Sequence, residues 1–234
     1  MSLALTAYRS TVGKKIVMAL SGLILVGFVL SHMLGNLKVF GGINPLSGSY
    51  KIDEYAHALR TLGEHFLGQE GFLWGARVVL LLAVIAHAWS GICLSRINRE
   101  ARPVPYKIKS YRSSNAASRT MLWGGLLLIG FVVFHILDLT LGVVHPNFVE
   151  GKVYANLAAG FALWPRTAFY VLAMAALSLH LYHGTWSMFQ TLGVDHPRWN
   201  GGIRLAAKAV AIAIFIGFSA VPVSFALGLM PPVL

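Results

Sequence analysis

Five stretches of the chain are almost continuously apolar: 16–37, 72–94, 121–144, 167–189 and 205–230. A helix of about 20 apolar residues, rising 1.5 Å per residue, crosses the ~30 Å hydrocarbon layer of a bilayer. Each stretch meets that length, and no two-residue alternation competes with them as strands. The pattern predicts an all-α integral membrane bundle of five transmembrane helices in a single membrane domain, residues 1–234. Polar interruptions are few. They are His32 and Asn36 in the first span, Arg77 near the start of the second, and His135 and Asp138 in the third. The fourth carries His180 and His183, and Lys208 lies near the start of the fifth, where it can snorkel. The first span is too long for a secretory leader, and no small-residue cleavage site follows it.

The connections differ in character. Residues 38–71 form the longest, opened by the turn-prone Gly41-Gly42-Ile43-Asn44-Pro45 and continued by 50–64, which reads as a short surface helix. Residues 95–120 are basic and broken by Pro103 and Pro105. Residues 145–166 and 190–204 read as shorter connections.

Composition sharpens the class. Apolar residues make up 56% of the chain and charged residues 12%, about half of what a soluble surface carries. The single cysteine, Cys93, excludes a disulfide scaffold. The net charge of +11 is read as topology rather than nucleic-acid binding. With the N-terminus inside, the inner side collects 13 of the Lys and Arg residues and the outer side 6. The expected topology is therefore N-terminus cytoplasmic and C-terminus outside. The basic 95–120 segment is accounted for by topology alone, with docking of a cytoplasmic partner as the sharper reading.

Ionisable groups within a bilayer are costly and mark function. Of the nine histidines, His57, His65, His145 and His196 are expected to be solvated in connections. His32, His87, His135, His180 and His183 lie within spans, at least one on each of the first four. Counting from the charged residues at the span ends puts His32 and His135 in the outer half, and His87 and His183 in the inner half. His180 falls close to the midplane. A lone intramembrane histidine is explained by an interhelical hydrogen bond. Two depth-matched pairs on four consecutive helices are not so explained, and they suit axial ligation of two haems b. Gly27, Ser31, Gly91, Gly130 and Gly184 lie near these histidines and would let a flat macrocycle approach the helices.

Two further polar residues are candidates. Asp138, the only acid within a span, would pair with a cation, relay a proton or touch a quinone. Ser21, at the inner end of the first span, would bond a propionate or a quinone, or else bond back to its own helix. No nucleotide-binding loop, dinucleotide fingerprint or zinc spacing is present, and one cysteine cannot hold an iron–sulfur cluster. Electrons must therefore be exchanged with a partner protein, and the carrier that suits a bilayer is a quinone.

Over its whole length the chain resembles the one-subunit, two-haem cytochrome b membrane anchor of succinate:quinone oxidoreductases, the succinate dehydrogenases and fumarate reductases. The resemblance rests on the stretch from Ser21 to His32-Met33, on His87-Ala88-Trp89 and on Phe134-His135 through Asp138-Leu139. It rests also on His180-Leu181-Tyr182-His183-Gly184-Thr185-Trp186-Ser187. It implies that His32 and His135 hold the outer haem, and that His87 and a helix-four histidine hold the inner one. His183 is preferred for its depth and its His-Gly pair, with His180 the alternative. It implies FAD and iron–sulfur clusters on two partner subunits, a flavoprotein and an iron–sulfur protein, docked on the cytoplasmic face of a prokaryotic inner membrane. Electrons would pass between them and menaquinone or another quinone, within an assembly of one or more complexes. One departure is that the glutamate some di-haem fumarate reductases carry two residues before the helix-four ligand is here Leu181, or Ser178 if His180 ligates. The alternatives are a cytochrome b subunit of a membrane hydrogenase or formate dehydrogenase, and a haem-free proton-coupled transporter.

Overall fold

The computed structural model describes residues 10–101 and 116–233, with 116–119 as backbone alone. Within them the chain is helical: α1 Thr11–Asn36, α2 Lys51–Thr61, α3 Glu64–Leu67, α4 Gly71–Glu100, α5 Ala116–Leu139, α6 Val153–Phe161, α7 Trp164–Thr191 and α8 Pro197–Ala226. A 3₁₀ turn, Leu37–Gly41, continues α1. Among the described residues no strand forms, and one antiparallel bridge joins Ile43 to Tyr50 across the Gly-Asn-Pro turn. Arg102, Lys107, Lys109 and Arg112, the heart of the basic connection, lie outside the described residues, and with them its docking role.

Four helices, α1 with its 3₁₀ extension, α4, α5 and α8, are each long and apolar enough to cross a membrane. The fifth candidate reaches that standard only as the pair α6 and α7, which meet at 103°. The reason is the polarity of α7, which carries Arg166, Thr167, Tyr170, Ser178, His180 and His183. Large apolar side chains such as Leu82, Trp123, Leu172 and Ile216 stand more than half exposed around the bundle. Water would not tolerate that belt; hydrocarbon does.

The packing order positions the site. α1 lies against α4, α7 and α8; α5 lies against α7; and α7 and α8 share the most extensive face. α1 and α5, and likewise α4 and α7, are diagonal partners that pack on shared neighbours rather than closely on each other. Close approach depends on small residues. A β-carbon on Gly217 of α8 would lie 2.5 Å from the Met33 sulfur, and one on Gly35 would lie 2.7 Å from the Tyr55 ring.

One end of the bundle, that of Leu37 and Leu139, is capped by the connections. Tyr50 and Tyr154 stack at 3.6 Å, and their hydroxyls donate to the carbonyls of Pro232 and Pro231. Asp53 of α2 accepts the Tyr154 backbone N–H at 2.9 Å, serving the open start of α6 from a distant element.

Three boundaries or environments differ from the sequence reading. The third span ends as helix at Leu139 rather than Val144, because Gly142 turns the chain at a φ of 71° and Phe148 packs where its side chain would be. The connection 145–166 contains α6, whose Tyr154, Leu157 and Phe161 enter the main apolar core. His145 is buried rather than solvated. Its Nε2–H donates to the Asn156 carbonyl at 2.9 Å, while Nδ1 accepts the Asn147 N–H.

Candidate functional site

The intramembrane histidines meet in two pairs across the diagonals of the bundle. His32 of α1 faces His135 of α5 with ring centres 5.8 Å apart and planes at 79°. His87 of α4 faces His180 of α7 with ring centres 6.1 Å apart and planes at 65°. His183, the residue preferred from depth, is half-buried one turn further along α7, and it is His180 that stands opposite His87.

The pairs occupy separate tiers. His87 lies against Met18, Ser21 and Gly22 of α1, and Gly22 precedes His32 by ten residues. His180 lies beside Gly125 of α5, which precedes His135 by ten. Ten residues at 1.5 Å each separate the tiers by about 15 Å.

Second contacts fix how the rings present their nitrogens. A carbonyl cannot donate, so Nδ1–H of His87 donates to Met18 O at 3.0 Å, leaving Nε2 with its lone pair. Ser21, buried on α1, donates its hydroxyl to Val17 O at 2.7 Å and places its oxygen 3.5 Å from the same Nδ1. Ser21 is thus bonded back to its helix and turned to the inner pair. Nδ1 of His180 is buried with no hydrogen-bond partner. A buried, unpaired ring nitrogen is costly within protein alone and calls for a ligand or a partner.

Around His135 the arrangement is charged. Asp138, one turn on, is fully buried; it is ion-paired with Arg166 and accepts the Tyr170 hydroxyl at 2.7 Å. Arg166 also donates to Val144 O at 3.1 Å, tying the end of α5 to the start of α7. The Tyr170 oxygen stands 3.5 Å from His135 Nδ1. Because the phenolic hydrogen is committed to Asp138, Nδ1–H of His135 is the donor in that contact. Sequence reasoning had named Asp138 but not Arg166 or Tyr170. The signal was there, since a lone acid in a span requires a cation.

Searches of protein-family models, of curated proteins and of solved structures returned no match to this chain. The chemistry of the site is therefore argued from the site.

The donor set was tested against a haem. Two imidazoles binding one iron from opposite sides place their ring centres about 6 Å apart, given metal–imidazole bonds of about 2 Å. The two spacings, 5.8 and 6.1 Å, match. Among the described residues no three His, Cys, Asp or Glu side chains converge as a bare metal ion would need. A pair of imidazoles instead suits a metal that brings its own equatorial nitrogens. A β-carbon on Gly27, Gly91, Gly130 or Gly184 would meet nothing within 4 Å, so open space lies along the helices near the histidines. The residues fit the group.

Proposed function

We propose that this chain is a di-haem cytochrome b membrane anchor of the succinate dehydrogenase and fumarate reductase kind, passing electrons between an iron–sulfur subunit and a membrane quinone. The observation that carries the reading is the pair of imidazole–imidazole approaches, on two tiers, between helices that do not pack closely on each other. In this reading His32 and His135 hold the outer haem, and His87 and His180 the inner one, His180 being favoured over His183 by its place opposite His87. Haem b supplies reversible one-electron chemistry at its iron when bound. The chain's own part is to present neutral ring nitrogens: Met18 O orients His87, and Tyr170 with Asp138 orients His135.

The proposal includes an N-terminus on the cytoplasmic side of a prokaryotic inner membrane, from the asymmetry of Lys and Arg. The partners are then a flavoprotein with FAD and an iron–sulfur protein beneath the basic connection, and the carrier is menaquinone or another quinone.

The test is a haem assay with a reduced-minus-oxidised spectrum on the purified chain. Two haems b per chain support the reading. None overturns it in favour of a haem-free transporter. Co-purification with a succinate-oxidising flavoprotein then separates this anchor from the cytochrome b of a hydrogenase or formate dehydrogenase.

A further inference from the structure

We infer that Tyr170 is a positioning residue for His135, and that the chain Arg166–Asp138–Tyr170 makes the outer ligand pair electronically unlike the inner one. The inference rests on the di-haem reading and adds a difference between its two sites. Tyr170 is buried at the junction of α5 and α7, with its ring packed between Phe131 and Phe161 at centre distances of 5.2 and 5.0 Å. That packing leaves the ring no alternative place for its hydroxyl, which donates to Asp138 Oδ2 at 2.7 Å. The oxygen is then an acceptor backed by a carboxylate, and chained hydrogen bonds polarise one another. It receives His135 Nδ1–H at 3.5 Å, a long contact in which the proton is shared toward anionic surroundings.

The inner tier is built otherwise. His87 Nδ1–H goes to a neutral backbone carbonyl, Met18 O, and to the Ser21 oxygen, itself bonded back to α1. A ring whose Nδ1–H faces a carboxylate-backed acceptor is the more basic ligand, and a more basic axial ligand favours the ferric over the ferrous iron. The outer haem should therefore hold its electron less readily than it would without Tyr170. Arg166 neutralises Asp138 overall, but its guanidinium engages the other carboxylate oxygen and the Val144 carbonyl, leaving Oδ2 to the phenol.

The experiment is a redox titration of both haems in the full chain, wild type against Tyr170→Phe, with haem content measured alongside. Two haems per chain, an upward shift of the outer midpoint potential and an unmoved inner one are expected. An unmoved outer potential, or equal shifts of both haems, overturns the inference while leaving the di-haem reading intact. A wild-type chain without haem overturns the di-haem reading itself. If Tyr170→Phe does not accumulate, hyperfine spectroscopy of the ferric wild type decides. A more strongly hydrogen-bonded Nδ1 proton on the outer ligand pair supports the inference, and equivalent protons on both pairs overturn it.

Discussion

Gly22 of α1 is the seat of the His87 ring: a β-carbon there would stand 3.2 Å from Cε1 and 3.4 Å from Nδ1. Glycine at this point lets the imidazole reach the Met18 carbonyl, which sets its tautomer. Gly22→Val should push the ring off that carbonyl at an overpacking cost of about 1–3 kcal/mol. The expected result is loss of most of the inner haem with the outer one retained. Gly22→Ala, which needs only a small ring displacement, should be milder. A wild-type spectrum from Gly22→Val would remove Gly22 from the site.

Single histidine variants should sort into two classes. His32→Leu and His135→Leu each empty the outer site and leave the inner haem bound. His87→Leu and His180→Leu do the reverse, and His183→Leu keeps both. Spectra and haem content of the five variants check this. Should His183→Leu empty the inner site while His180→Leu spares it, the axial ligand on α7 is His183, and the approach of His180 to His87 has another purpose.

The Asp138–Arg166 pair staples α5 to α7 in a region where neither charge meets water freely. Removing one partner strands the other, a change that costs about 3–5 kcal/mol for buried pairs. Arg166→Leu should therefore lower thermal stability in detergent sharply. The double variant Asp138→Leu with Arg166→Leu should recover part of the loss, because no unpaired charge remains. A double variant less stable than Arg166→Leu would show that the pair matters beyond charge balance.

Outside the spans, Glu54 accepts from Ser47 and from Asn44, whose amide lies 2.9 Å away, and these bonds hold its carboxyl below the ordinary glutamate value. A depressed folded value means stabilisation that is full above the unfolded value and lost as pH falls through the folded one. The gap in melting temperature between wild type and Glu54→Gln should accordingly be widest near neutrality and close below about pH 4. A gap that persists unchanged into acid would dissociate Glu54 from the acid dependence.

Much of the architecture is legible without coordinates, because hydropathy is a local property. A run such as 72–94 announces a span whatever it packs against, and the histidines within such runs stand out because burying them is costly. Local cues fail where apolar character does not separate helix from turn. Residues 140–144 are apolar, yet Gly142 ends α5 before them, and α6 is too short to show a period of its own before the 103° bend. His145 reads as a loop residue, and only the fold brings the Asn156 carbonyl to it.

The sequence alone settled that long apolar helices carry five imidazoles, since composition along a run decides what a bilayer accepts. Which imidazole meets which was decided by tertiary structure. His180 and His183 lie three residues apart, about 60° around the helix, and nothing local selects between them. The rotation of α7 is set by its broad contact with α8 and its packing against α5, and that rotation turns His180 toward His87. The pairing of Asp138 with Arg166 has the same origin: charges 28 residues apart along the chain meet only because the end of α5 and the start of α7 are packed together.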